Sequence, residues 1–390
     1  MAPLLVVLCN AFEDTIRTQR KVITDSPAAS RKVFMLCDAI RSAGVHPTVI
    51  SLGRGRARGA FQYHSTRVIR LKKSVLLYMP FVDLPILTHI LSALAPAIAL
   101  LAYKSRCRQK VLILYNRNPT YLLAASVARV IGFRVFLDLE DGDIDRPLGV
   151  FARAVRFAKR VCFDSLADGG AILACRALSN QTQSRHKMCY YGTTTPVTQP
   201  APRFLQQKIR ILFCGTISKD TGADVVLGAI ELLAINRPDW AAQLEFIVTG
   251  NGDRMTSATE LSSRYPHVGL TVLGRTEDAA YQRLLATCDV GLAMKPTNGC
   301  LANTTFPSKV VEFASSGLLV VTTDISDVRL VLGEGAEYLI EANPMSLLSC
   351  LEKIALGREA AKYKAQLSFV RINNDFNPNI VGLRLFNFFF

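Results

Sequence analysis

Short apolar runs alternate with helix-length segments along most of the chain, and that rhythm restricts the fold more than any other feature. Residues 4–8, 48–52, 68–71, 111–115, 134–139, 161–164 and 188–191 read as strands in the first half. Between them, 28–42, 121–131, 150–159 and 166–177 read as helices. Strands that are apolar throughout, rather than alternating, belong to a parallel sheet covered on both faces, because the crossover helices exclude water from each side. The rhythm resumes with 209–214, 245–248, 270–273, 290–294, 318–322 and 338–340 as strands. Residues 222–234, 278–286, 309–315 and 345–356 are the helices of this second series.

Between the two series, Gly192 to Pro202 holds three prolines, four threonines and no periodicity, so it reads as a linker. The expected domains are therefore 1–191 and 204–365, joined by a linker at 192–203, with a tail at 366–390 that has room to cross back to the first domain. The fold class is α/β, with two doubly wound Rossmann-like domains facing across an inter-domain cleft. Ligands of such a fold sit at the carboxyl ends of the strands.

At 390 residues the chain can build two cores, and with half its residues apolar it is not a disordered one. The ten cysteines are scattered, with no Cys-x-x-Cys pair and no histidine at metal-ligand spacing. They read as small buried hydrophobes of a reducing compartment, and no metal is expected. The run at 4–8 has no basic stretch before it and is too short for a secretory signal, so it reads as the first core strand. Charge is unevenly divided. Residues 1–200 carry 28 Lys and Arg against 12 Asp and Glu, whereas 201–390 carry 18 against 19. A basic excess confined to one half implies an anionic partner, either nucleic acid or an acidic membrane. No aromatic interleaving or nucleic-acid motif accompanies it, which makes nucleic acid the poorer explanation.

Residues 304–324 read as a polar loop, a helix and a buried strand in succession. Pro307 suits the first turn of the helix, and Gly317 suits the left-handed position just past its end. Lys309 and Glu312, three residues apart, share one face and can both point at a phosphorylated, hydroxyl-bearing ligand at the helix N-terminus. The plainer alternative is a surface Lys–Glu pair. Upstream, strand 209–214 runs into Gly215-Thr216-Ile217-Ser218-Lys219-Asp220-Thr221-Gly222 and a helix, which is an anion site by geometry. Gly250-Asn251-Gly252 and Gly274-Arg275-Thr276 follow the next two strands, and each alone is a weak signal.

In wording, order and spacing, residues 209–325 resemble the donor half of family 4 (group 1) glycosyltransferases of the GT-B fold. The resemblance implies that Glu312 holds the ribose hydroxyls of a nucleotide and that the loop with Thr304 and Thr305 surrounds the diphosphate and sugar. It places Gly215, Gly250 and Gly252 at the donor and Thr276 against the base. Family members commonly carry Arg directly after the first glycine and Lys directly before the second, where Thr216 and Thr221 stand here. Lys219 and Lys309 are therefore expected to supply the cations for the diphosphate. Retaining members carry two glutamates eight positions apart, and the earlier position is Thr304. That leaves the stereochemical outcome open.

In the first half, strand 134–139 ends in Glu140-Asp141-Gly142-Asp143-Ile144-Asp145. Crowded carboxylates raise one another's pKa, which poises Glu140 or Asp141 as the catalytic base for an acceptor hydroxyl, unless the cluster is only a capping loop. The loop after the first strand carries Arg17, Arg20 and Lys21, which the resemblance places at the acceptor, against a lipid phosphate. Residues 84–103 carry no formal charge and are followed by Lys104, Arg106 and Arg108. A span there would separate strands of one sheet, and Pro96 would kink it, so the favoured reading is a helix at the membrane interface with its basic end on lipid phosphates. A long core-facing helix is the alternative.

These readings add up to a hexosyl- or N-acetylhexosaminyl-transferase moving sugar from a nucleotide-diphosphate sugar to a polyprenyl-diphosphate-linked acceptor, for glycan or surface polysaccharide assembly. It would be peripheral on the cytoplasmic face of a membrane and use no cofactor beyond its donor. A nucleotide-sugar epimerase of the same fold and a catalytically silent membrane scaffold are the alternatives.

Overall fold

The apolar runs gather into two large sheets in the computed structural model, which describes residues 3–22, 25–55, 61–71, 74–103, 109–140, 142, 149–194, 199–298 and 301–390. The chain divides into two compact units, Met1–Thr193 with Pro378–Phe390, and Thr194–Asn377.

The first unit contains strands β1 (Leu4–Cys9), β2 (Thr48–Ser51), β3 (Tyr63–His64), β4 (Arg67–Leu71), β5 (Ser74–Tyr78) and β6 (Phe81–Val82). It continues with β7 (Lys110–Tyr115), β8 (Arg134–Leu139), β9 (Gly170–Leu173) and β10 (Lys187–Cys189). Its main sheet runs β10-β9-β8-β7-β1-β2-β5-β4, parallel except for edge strand β4, while β3 and β6 form a small antiparallel ribbon. Its helices are α1 (Asp14–Gln19), α2 (Pro27–Ser42), α3 (Pro85–Leu101), α4 (Leu122–Val130) and α5 (Val150–Leu166). Right-handed crossovers put α2 on one face of this sheet and α3, α4 and α5 on the other, where α3 packs along α4 and α4 meets α5.

The second unit holds β11 (Ile209–Thr216), β12 (Leu244–Asn251), β13 (Leu270–Val272), β14 (Val290–Ala293), β15 (Leu319–Thr323) and β16 (Ala336–Leu339). They form an all-parallel sheet in the order β13-β12-β11-β14-β15-β16. Its helices are α6 (Ala223–Asn236), α7 (Met255–Arg264), α8 (Asp278–Thr287), α9 (Leu301–Thr304), α10 (Lys309–Ser315), α11 (Val328–Leu332), α12 (Pro344–Leu356) and α13 (Arg358–Asp375). Phe213, Phe246 and Val321 of the sheet share one core with Ile230 and Leu233 of α6 and Leu351 of α12. Each such buried side chain contributes about 1.5–3 kcal/mol. The strand order reverses between β11 and β14, which makes the carboxyl end of β11 the place where a ligand crevice opens. The last helix, α14 (Pro378–Phe389), returns to the first unit, packs along α2 and sets Phe389 edge-on to Phe136 of β8, with ring centroids 5.0 Å apart.

Two expectations fail. Residues 161–164 are the end of α5 rather than a strand, since of that apolar run only Phe163 is buried. Residues 166–177 are not one helix, because Gly169-Gly170 interrupts them and β9 follows, then a 3₁₀ segment, Arg176–Gln181. Strand β5 and helices α7 and α13 were not anticipated. Among the described residues the cysteines are free thiols, and no helix is long and apolar enough to cross a membrane.

Candidate donor site and the acceptor-side clusters

Gly215, Gly250 and Gly274, at or just beyond the ends of β11, β12 and β13, are drawn together by backbone contacts. Gly215 is in register with Gly250, whose N–H donates to the Gly274 carbonyl at 2.7 Å. A Cβ on Gly250 would lie 1.8 Å from the Gly215 carbonyl oxygen, and its φ of +145° is one that side chains rarely adopt, so only glycine fits. Thr249 Oγ1 donates to the Gly274 carbonyl at 2.7 Å and lies 3.2 Å from Thr276 Oγ1, which sets Thr276 beside the same strand ends. Gly252 packs as closely, against the Ile217 carbonyl.

Lys309 of α10 reaches this point: its Cε lies 3.6 Å from where a Cβ on Gly215 would be. The Lys309 ammonium donates to Glu312 Oε2 at 2.8 Å and to the Tyr281 hydroxyl at 2.9 Å, and it sits 4.8 Å from the Tyr281 ring centroid. The expected shared face of Lys309 and Glu312 is therefore formed. Gly317 adopts φ +81° just past α10, which closes that helix as the sequence implied. Because α10 has only seven residues, its side chains rather than its dipole give this face its chemistry.

Tyr281 and Cys214 were missing from the sequence reading. Tyr281, buried on α8, lies 3.4 Å from Cys214 Sγ through its hydroxyl. Burial, and then the neighbouring Cys214 and Glu312, raise the phenol's pKa well above its ordinary value, so it stays protonated. Burial also raises the Cys214 thiol, against the opposing effect of Lys309. A protonated phenol and a neutral thiol leave Glu312 and Lys309 as the charged members of the group.

Lys219 is exposed in the one-turn 3₁₀ helix Lys219–Thr221, and no hydrogen bond or ion pair among the described residues ties it to Lys309. Thr221 fastens this loop: Oγ1 accepts from the Ser218 N–H at 3.1 Å and donates to the Thr216 carbonyl. Thr304 ends α9 and Thr305 is buried beside it. Arg203, also missed, is buried below the site and donates to the carbonyls of Leu285 at 2.9 Å and Ala286 at 3.0 Å, and to that of Ser316. It thereby satisfies the open carbonyls at the ends of α8 and α10.

In the first unit, Glu140 is ion-paired with Lys32 of α2, which also reaches Asp138 Oδ1 at 3.2 Å and lies 5.3 Å from the Tyr190 ring centroid. Asp138 is buried within β8, and burial raises its carboxyl above the usual range despite the opposing Lys32 charge. Lys32 and Asp138 were missed, although an acid inside the run Phe136-Leu137-Asp138-Leu139 is the signal that could have found them. Asp141 lies outside the described residues, as do Lys104, Arg106 and Arg108.

Arg20 differs from expectation. It is buried, and its guanidinium donates to the carbonyls of Gly53 at 2.5 Å, Ser65 at 3.3 Å and Met79 at 3.4 Å. Its donors are committed to the protein's own loops, which removes it from an acceptor or membrane role. Arg17 is paired with Asp14 and, at 2.6 Å, with Asp25, whereas Lys21 is exposed.

Residues 208–355 match the family model described as Glycosyl transferases group 1. A relative from Homo sapiens, the A component of phosphatidylinositol N-acetylglucosaminyltransferase, is 30% identical over 156 residues, which is 40% of this chain and 30% of the relative's length. The chain thus spans less than a third of that relative. TarM superposes with a TM-score of 0.67 at 8% identity over 99% of this chain and 98% of TarM. Anabaena HepE in complex with UDP gives 0.66 at 12% identity over 98% of each chain. Sucrose-phosphate synthase from Thermosynechococcus elongatus gives 0.64 at 12% identity over 98% of each. The second unit is therefore similar to the group 1 glycosyltransferases, and the fold is that of the GT-B enzymes.

Proposed function

We propose that this glycosyltransferase of the group 1 type moves a hexosyl or N-acetylhexosaminyl group from a nucleotide-diphosphate sugar to a lipid-linked acceptor at a membrane surface, in glycan or surface polysaccharide assembly. The observation that carries the reading is Lys309, set beside Gly215 and held in place by Glu312 and Tyr281. In this reading the Glu312 carboxylate accepts hydrogen bonds from the ribose hydroxyls. Lys309, with Lys219 from the neighbouring loop, neutralises the diphosphate as negative charge develops on the leaving nucleotide. Gly215, Gly250 and Gly252 let backbone approach the donor, Thr276 borders the base, and Thr304 and Thr305 border the sugar. Basic side chains take the part that a cation takes elsewhere, and no metal or further cofactor is invoked.

HepE has been solved with UDP and with UDP and glucose, and the human relative's name gives N-acetylglucosamine as its sugar, which is why both donor classes are kept. On the acceptor side, Glu140 or Asp141 receives the proton of the acceptor hydroxyl, and Lys32 orients Glu140 for that purpose. Arg17 and Lys21 remain the cations proposed for the acceptor phosphate. The protein would act as a peripheral protein on the cytoplasmic face.

The test is incubation with labelled nucleotide sugars, with and without a membrane lipid extract. Label entering the lipid fraction, with release of nucleoside diphosphate, is the expected result. Sugar altered in the absence of lipid would mean an epimerase, and no change in either arm would mean a scaffold.

A further inference from the structure

Helix α5 exposes apolar residues where a soluble surface helix would carry polar ones. At 100° per residue, Phe151, Ala154, Val155, Ala158, Val161 and Cys162 fall on one face. All six are exposed, with Phe151 at 82%, and Phe157 at the edge of the face is at 66%. Among the described residues, its fully buried side chain and its carboxylate anchor lie near its C-terminus. Phe163 is fully buried there, and the Asp164 carboxylate accepts from Arg117 at 3.0 Å, Thr182 Oγ1 at 3.1 Å and the Gln183 N–H at 2.9 Å. The preceding turns hold Arg153, Arg156, Lys159 and Arg160 and no acidic residue.

The neighbouring helices on this face of the sheet behave alike. Helix α3 exposes Ile86, Ile90, Leu94, Ile98 and Leu101 in one stripe, and α4 exposes Val130 at 87%. Scattered apolar side chains are ordinary on a protein surface, but exposed apolar stripes on α3 and α5, with Val130 exposed on α4, which packs against both helices, are not.

We propose that this face of the first unit docks on an anionic lipid bilayer, with α5 lying in the interface and Phe151, Val155 and Phe157 inserted below the headgroups. Charge decides between possible occupants. Arg153, which is exposed, and Arg156 have stems long enough to reach lipid phosphates while the apolar face is buried, whereas Arg160 is bound to the Asn180 carbonyl at 3.0 Å. A second copy of the chain docked through α5 would instead set one basic helix against an equally basic one. The inference rests on the membrane-borne acceptor reading for its purpose, and on α3, α4 and α5 for its substance.

The experiment is sedimentation of the full chain with phosphatidylcholine vesicles, either neutral or containing about one third phosphatidylglycerol, at low and high salt. The parent should bind the anionic vesicles and release as salt rises. A triple variant, Phe151→Gln, Val155→Gln and Phe157→Gln, should bind at least about tenfold more weakly, because insertion of apolar side chains supplies the affinity. Its thermal midpoint and nucleoside diphosphate affinity should be unchanged, since these side chains are exposed. Equal vesicle binding by parent and variant, or no binding by the parent, overturns the proposal. So does a lipid-free dimer that the triple variant dissociates, which would make a second copy the occupant. A parent that follows the vesicle pattern but binds no nucleoside diphosphate supports the docking face and removes the glycosyl-transfer reading instead.

Discussion

Both sheets are wound outward in two directions from a central first strand, and both carry a cysteine at or near that strand's end, Cys9 and Cys214. The cations around the two strand ends are nevertheless engaged differently. In the first unit Arg20 is buried against three loop carbonyls, and Lys32 is held by Asp138 and Glu140. In the second unit the tasks are divided between two residues: Arg203 serves the helix ends, while Lys309 stays partly exposed beside Gly215. The basic half of the chain therefore does not offer its ligands a charge in proportion to its lysines and arginines. Which donors are already satisfied by buried carbonyls decides what is left for a ligand.

The largest effect that sharpens this contrast is on stability. Arg203→Ala strips a buried group of carbonyls of their donor and should cost about 3 kcal/mol or more in chemical unfolding followed by circular dichroism. Because Ser316 at the end of α10 loses a partner, nucleotide affinity should fall as well. Arg20→Ala should destabilise by about 2–3 kcal/mol and leave nucleotide affinity untouched. An Arg20→Ala protein that is as stable as the parent but transfers sugar poorly would break the comparison and return Arg20 to the ligand-facing residues.

A smaller effect is expected at Tyr281. Tyr281→Phe keeps the ring under the Lys309 ammonium and removes only the hydroxyl, so about 1 kcal/mol is at stake. Nucleoside diphosphate affinity measured by calorimetry should weaken a few-fold, through looser placement of Lys309. A stability loss with no change in affinity would make Tyr281 a core residue only.

What was legible follows from how local each feature is. Loop, helix and strand in 304–324 could be read because the i, i+3 pair Lys309 and Glu312 and Gly317 are fixed by local chemistry, and the structure gives Gly317 the left-handed φ that its position requires, although Pro307 stands just before the N-cap Ser308 rather than in the first turn of α10. Tyr281 could not be read, since it meets Lys309 from 28 residues away and Cys214 from 67. The same holds for Arg20, whose burial depends on loops 33 to 59 residues downstream. Helix α5 misled for a different reason. Its Val161-Cys162-Phe163 run has strand composition, yet it is the end of a helix whose apolar face is left exposed. Apolar periodicity reports an apolar face, and only the tertiary structure tells whether a core covers it.

Calorimetric titration of nucleoside diphosphates, UDP among them, into the full chain and into Glu312→Gln tests the donor-helix assignment most directly. Loss of a charged hydrogen bond to ribose should cost about 1.5–3 kcal/mol, roughly tenfold or more in affinity, with the fold unchanged. Equal affinity of the two proteins for every nucleotide would contradict the assignment of Glu312 and Lys309 to the donor.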